Sequence, residues 1–314
     1  MNKREFDKYF KQYIDSLKIA KKSIKTISSY KIVLSKFSTF LSSATFQKTR
    51  KIEPITIANY RTQLFMTGLC VNSVRYNLIV LHTFFEWAIR ANLLDDNPVV
   101  RREIPRQQQI EYNLLSLCEI KKILTETPPK INKKTIIRNR TIVVMLVQSG
   151  LRNSELRMLT VADLDFENGF ITVRHGKGDK NRVAPFPKLS RELARKYLNS
   201  NIRPASLSDN DFLFGTSAKT SGQRLPVKTW KPITAQALLE LVNRYTRLCC
   251  GHEVGVHALR HAAASLWDDL GITIRDIQNA LGHSSISTTE KIYVKVLNKV
   301  KTASKINTAL DEMV

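Results

Sequence analysis

His257-Ala258-Leu259-Arg260-His261, then Leu281-Gly282-His283, then Tyr293 form the stretch from which this 314-residue chain is best read. Far upstream stands a companion, Ser149-Gly150-Leu151-Arg152-Asn153-Ser154-Glu155-Leu156. Guanidiniums offer planar forks that match phosphate oxygens. Imidazoles exchange protons near neutral pH. A phenol, which ordinarily ionises near pH ~10, becomes a nucleophile where cations and a proton acceptor surround it. A phosphodiester under attack gathers extra negative charge on its nonbridging oxygens, and fixed donors aimed at such charge are commonly worth ~3 kcal/mol each. Together these residues describe a site that opens a phosphodiester by forming a phosphotyrosine.

The leaving 5′ oxygen then needs a proton. A lysine on a hairpin turn, its pKa lowered by neighbouring cations, is a suitable general acid. Gly176-Lys177-Gly178-Asp179-Lys180 supplies Lys177 and Lys180, with Lys188 a short way beyond. A phosphotyrosine link keeps the bond energy that hydrolysis would discard, so this scheme requires neither ATP nor Mg²⁺, which accounts for the lack of a Gly-x4-Gly-Lys-Ser/Thr phosphate loop and of an acidic cluster for two metals. His257 and His261 have the i, i+4 spacing of metal ligands, but no third ligand is evident and Arg260 between them would repel a cation. No cofactor and no metal are expected, and His261 reads as a hydrogen-bonded core histidine.

Charge points to the partner. Fifty Lys and Arg against 27 Asp and Glu leave a net charge of +23. Residues 1–112 contribute +10 of it and residues 113–314 the remaining +13, so the excess belongs to both halves rather than to a tail. Two basic halves suit a polyanion gripped on two sides, with double-stranded DNA the natural candidate. Cys70, Cys118, Cys249 and Cys250 form no Cys-x-x-Cys pair, and the first thirty residues are Lys-rich without the apolar run of a signal peptide. No apolar stretch reaches the ~18 residues of a membrane span. A cytoplasmic protein with reduced thiols is expected.

Helical periodicity fills the first part of the chain. Phe6, Phe10, Tyr13 and Leu17 mark one helix, and Tyr30, Val33, Leu34, Phe37 and Leu41 a second. A shorter helix follows Pro54, and a fourth over 73–92 stops at Asp95-Asp96-Asn97-Pro98. Residues 1–98 therefore read as a small helical domain and 99–113, rich in Arg and Gln with little apolar periodicity, as a linker. In 114–314, Ser116 with Glu119 predicts a capped helix to about Thr125, and a buried helix over 138–149 ends at Gly150. Phe170–Val173 and Arg182–Pro185 form a hairpin around the Lys177 turn. The rest reads as helical, with a loop at 216–233. The fold class is mainly α with a small antiparallel β-sheet.

The whole pattern resembles the tyrosine recombinase (phage integrase, Xer-like) family, of the simple two-domain type. The helical 1–98 segment is similar to that family's SAM-like core-binding domain, and the remainder to its α+β catalytic domain. On this resemblance Arg152, in Gly150-Leu151-Arg152-x-x-Glu155-Leu156, is the first catalytic arginine. Lys177 is the catalytic lysine, His257 and Arg260 the His-x-x-Arg pair, His283 the later histidine of Leu281-Gly282-His283-Ser284-Ser285, and Tyr293 the nucleophile. Glu155 and His261 fall at supporting positions. The resemblance implies a site-specific recombinase acting as a homo-tetramer on two DNA sites, through a 3′-phosphotyrosine and a Holliday junction, with or without an accessory or partner recombinase. The amphipathic segment 298–314 would dock on its own subunit or a neighbour.

Two other readings compete. Residues 257–281 can be read as a helix-turn-helix with a turn at Gly271 and a second helix capped by Thr273, as in a non-enzymatic DNA-binding protein. That explains the charge but gives Arg152 and Tyr293 no task. A type IB topoisomerase-like relaxing enzyme shares the chemistry, but the compact length and the Leu281–Ser285 stretch speak against it.

Overall fold

The computed structural model describes residues 1–43, 51–108, 114–128, 135–174, 181–200, 202–217, 219–220, 223–224 and 230–282. The chain divides into two compact units, Met1–Glu111 and Tyr112–Val314.

The first unit is built from α1 (Lys3–Ile19), α2 (Ile24–Phe40), α3 (Pro54–Met66) and α4 (Val71–Arg90). Local chemistry starts the first three helices. Asn2 and Glu5 close a capping box at α1, the Ser23 side chain accepts from the Thr26 amide at α2, and Pro54 opens α3 where its missing N–H costs nothing. The apolar stripes expected from the sequence meet in an aromatic core. Phe6 lies 5.2 Å from Phe37 and 5.0 Å from Phe84 between ring centroids, and Phe37 lies 4.9 Å from Tyr60, all near edge-to-face.

Residues 99–108, expected as linker, are tied to this unit. Val99 sits in its core. Arg61 Nη1 donates to the Glu103 carbonyl at 3.0 Å, Arg75 Nη1 to the Pro105 carbonyl at 2.7 Å, and Asn72 exchanges two hydrogen bonds with the Gln108 backbone. A segment without ladder partners still has backbone carbonyls to satisfy, and arginines of α3 and α4 meet that need.

The second unit is organised around α6 (Ile136–Ser149), after α5 (Leu117–Thr125). Every residue from Ile142 to Val147 is fully buried, so α6 is a central helix covered on all sides, which explains its unbroken apolar run. α7 (Asn153–Met158) follows at once. A three-stranded antiparallel sheet then orders β1 (Leu164–Asp165), β2 (Phe170–Val173) and β3 (Arg182–Pro185), with Ile171 paired to Leu164 on one side and Ala184 on the other. α8 (Lys188–Leu198) packs on α6, and α9 (Ala235–Cys250), α10 (Val256–Asp269) and α11 (Ile274–Leu281) complete the described helices.

Two features depart from the sequence reading. The sheet has a third strand, β1, too short to show alternation. The segment expected as a 216–233 loop contains two antiparallel pairs, β4 (Gly215–Ser217) with β7 (Trp230–Pro232) and β5 (Lys219–Thr220) with β6 (Gln223–Arg224). Gly215 makes the first pairing possible. A Cβ there would stand 2.4 Å from the Trp230 ring, whose Nε1 donates to the Phe212 carbonyl at 2.9 Å.

Among the described residues, no helix is long and apolar enough to cross a membrane.

Candidate functional site

The site begins where α6 stops. Gly150 takes a left-handed conformation at φ +59° and ends the helix. A Cβ at this position would lie 2.7 Å from Leu281 Cδ2 and 3.1 Å from Trp267 Cη2, so α10 and α11 close directly over the glycine. That contact lets Arg260, on α10, reach back and donate from Nη1 to the Gly150 carbonyl at 2.5 Å. Gly150→Ala is expected to cost about 1–2 kcal/mol for the backbone conformation and a further ~1–3 kcal/mol for crowding. A chemical-denaturation midpoint matching the parent protein's would refute this.

Two residues on, Arg152 is the N-cap of α7, and Glu155 is its third residue. The Arg152 amide donates to Glu155 Oε2 at 2.7 Å, satisfying an amide of the helix start, while Arg152 Nη1 meets Oε1 at 2.6 Å. Arg152 Nη2 reaches the Gly282 carbonyl at 2.7 Å, which fastens α7 to the end of α11. Glu155 is only 6% exposed. Burial alone would raise its pKa. The hydrogen bonds and positive field of Arg182, with the Arg152 donors, outweigh it and hold the carboxyl below the usual carboxylate range.

Arg260, 1% exposed, is the largest fully buried side chain of the described residues. Its Nη1 also lies 3.8 Å from Glu155 Oε2, and its Nη2 donates to the Leu281 carbonyl. A buried arginine needs a carboxylate and several acceptors, and it has both.

His257 lies one turn before Arg260 on α10 and is exposed. Partial desolvation, then the fields of Arg260 and Arg152, push its pKa below the ordinary histidine value. Both effects favour the neutral imidazole, the form that can accept a proton. His261, buried one turn deeper, packs edge-on to His257 with ring centroids 5.0 Å apart. His261 is 4% exposed.

The structure thus brings Arg152, Glu155, His257, Arg260 and His261 together. Lys177, His283 and Tyr293 lie outside the described residues, as do Lys180 and the 298–314 segment. Lys188 opens α8.

One participant was missed. Arg182, the first residue of β3, donates from Nη2 to Glu155 Oε2 at 2.7 Å and from Nη1 to the Ala280 carbonyl. In the sequence it is one more basic residue beside a lysine-bearing turn, and nothing in its spacing relates it to Glu155. Among the described residues, no group of three His, Cys, Asp or Glu side chains could hold a metal ion. The turn at Gly271 and the Thr273 cap of α11 are present as read, with Thr273 Oγ1 accepting from the Asp276 amide at 3.2 Å. Yet the end of α11 is committed to arginines of the site.

Comparison with known proteins gives a consistent result. The phage integrase family model matches residues 114–299, and that of the phage integrase N-terminal SAM-like domain matches 10–92. Tyrosine recombinase XerA of Pyrococcus furiosus is 32% identical over 292 residues, spanning 92% of this chain and 89% of its own length. Tyrosine recombinase XerC of Thermodesulfovibrio yellowstonii is 30% identical over 301 residues, spanning 92% and 91%. Among solved structures, the XerH site-specific recombinase bound to a palindromic difH substrate aligns with a TM-score of 0.70 at 24% identity, over 90% of this chain and 80% of that one. The Tn1549 transposon integrase bound to transposon right end DNA aligns with a TM-score of 0.67 at 19% identity, over 93% and 95%. These two likenesses carry the fold.

Proposed function

The chain belongs to the phage integrase family and is a tyrosine-type site-specific DNA recombinase, and from that premise we propose how its residues cut and rejoin a strand. Arg152 and Arg260 hold the nonbridging oxygens of the scissile phosphate. The Tyr293 oxygen attacks phosphorus, its proton passing to the neutral His257 imidazole. The bond from phosphorus to the 5′ oxygen breaks, and Lys177 gives that oxygen a proton. His283 adds a donor to the pentacoordinate species. The products are a 3′-phosphotyrosine and a free 5′-hydroxyl. Bond energy is conserved in the ester, so a 5′-hydroxyl from a second strand reverses the step and reseals the backbone.

On this reading, paired exchanges within a homo-tetramer on two double-stranded sites pass through a Holliday junction. The XerA and XerC relatives favour a resolving or integrating recombinase over a relaxing enzyme.

The observation that carries the reading is the convergence of Arg152, Arg260 and His257 on one place, braced by Glu155. Three guanidiniums, Arg182 among them, around a single carboxylate keep net positive charge, which suits an anion that acquires charge as it reacts. The test is to incubate the protein with genomic DNA of its source organism in the presence of EDTA, denature, and recover DNA covalently attached to protein. The expected result is one enriched sequence carrying a phosphotyrosine link. Recovery of bound DNA with no covalent adduct would overturn the reading in favour of a binding protein. Relaxation of any supercoiled plasmid, with no enriched sequence, would favour a topoisomerase.

A further inference from the structure

Three consecutive carbonyls at the end of α11 are each held by a different arginine. Arg182 Nη1 donates to Ala280, Arg260 Nη2 to Leu281, and Arg152 Nη2 to Gly282. The same guanidiniums converge on Glu155: Arg152 Nη1 at 2.6 Å from Oε1, Arg182 Nη2 at 2.7 Å and Arg260 Nη1 at 3.8 Å from Oε2. Helix ends leave carbonyls unsatisfied and carry partial negative charge, so a row of arginines there is favourable. Two of these arginines belong to the motifs. Arg182 does not.

We infer that Arg182 is a positioning residue for strand cleavage, fixing Glu155 and the end of α11 so that Arg152 presents its guanidinium to the scissile phosphate. The inference rests on the reading of Arg152 as a phosphate ligand. Arg182 has a side chain 9% exposed, its Nε and Nη2 face Glu155 at 3.4 and 2.7 Å, and its Nη1 is on Ala280, so three of its nitrogens tie Glu155 to the end of α11. Without it, Glu155 keeps Arg152 as its near partner and can draw that guanidinium into a two-pronged pair, leaving less of the fork for a phosphate. The end of α11 would lose one of its three arginine donors as well.

Gly282 shows how closely the parts fit. It lies at φ +63°, and a Cβ there would stand 2.7 Å from Arg182 Cδ and 3.8 Å from Arg152 Nη1. The glycine that ends α11 is thus matched to the passage of the Arg182 side chain beneath it.

The test compares Arg182→Gln and Arg182→Lys with the parent protein on a nicked duplex carrying the recovered site, with either the ordinary phosphodiester or a methylphosphonate at the scissile position. A methylphosphonate has one fewer negative charge, so it needs Arg152 less, and anything acting through Arg152 matters less too. On the phosphodiester, Arg182→Gln is expected to slow adduct formation by about 10²-fold, the scale of a catalytic group displaced by about an ångström. On the methylphosphonate the loss should fall below ~10-fold by the same reasoning. Arg182→Lys keeps the charge but not the fork, and should show the same pattern with a smaller loss; it also serves should the glutamine variant not fold. Equal losses on both substrates would mean a merely structural role and overturn the proposal, as would a phosphodiester rate within about twofold of the parent's. Absence of any adduct from the parent protein would instead overturn the recombination reading, and this inference with it.

Discussion

Substitution of Tyr293 by phenylalanine is expected to remove the denaturation-resistant protein–DNA adduct altogether, while retention of DNA under native conditions stays close to that of the parent. The change deletes one oxygen and keeps the ring, so packing is disturbed as little as a substitution allows. The deleted atom is the one that becomes esterified in the proposed reaction. Losing a nucleophile costs orders of magnitude, and at least ~10³-fold is expected here, enough to take an adduct below detection on a gel. Binding draws on different groups. A net charge of +23, shared between both halves of the chain, supplies phosphate contacts that a phenol does not influence. Titrating salt should therefore weaken parent and variant with the same slope. An undiminished adduct would move the nucleophile elsewhere, and a loss of binding equal to the loss of adduct would place Tyr293 in DNA recognition rather than chemistry.

How far the sequence foretold this arrangement depends on the distance over which its signals act. The first four helices were legible because 3.6-residue periodicity, an Asn2–Glu5 box and Pro54 are local signals, each read within a turn or two. Gly150 was legible as a helix stop for the same reason. The pairing of Arg152 with Glu155 was legible too, one helical turn apart. Arg182 was not, because its partner Glu155 is 27 residues away and its other acceptor, the Ala280 carbonyl, is a backbone atom with no residue-type signature. The β4–β7 pair escaped for a related reason. Two three-residue strands hold together through a glycine that admits a tryptophan, and neither strand is long enough to show alternation. The attachment of residues 99–108 depends on Arg61 and Arg75 donating to carbonyls some 40 and 30 residues away, which composition cannot register.

Glu155→Ala should be the most destabilising single change in the catalytic unit among the groups discussed. A buried carboxylate here faces Arg152, Arg182 and Arg260, and its removal leaves three guanidiniums close together with no anion among them. Breaking a buried pair by deleting one partner generally costs ~3–5 kcal/mol, well above the value of the intact pair, because the charge left behind remains desolvated. The α7 start would lose its acceptor for the Arg152 amide as well. Glu155→Gln keeps an acceptor oxygen and the shape while removing the charge, so its loss of stability should be smaller.

Acid supplies an independent check. The folded pKa of Glu155 lies below its ordinary value of about 4.3, so the carboxylate's contribution is fully present above that pH. It disappears as pH falls through the lower, folded value. Denaturation midpoints measured downward from about pH 5 should therefore fall more steeply for the parent protein than for Glu155→Gln, the two curves converging in strong acid. Parallel curves would mean that Glu155 titrates alike in the folded and unfolded chains, and the three-arginine arrangement around it would then have no energetic reality.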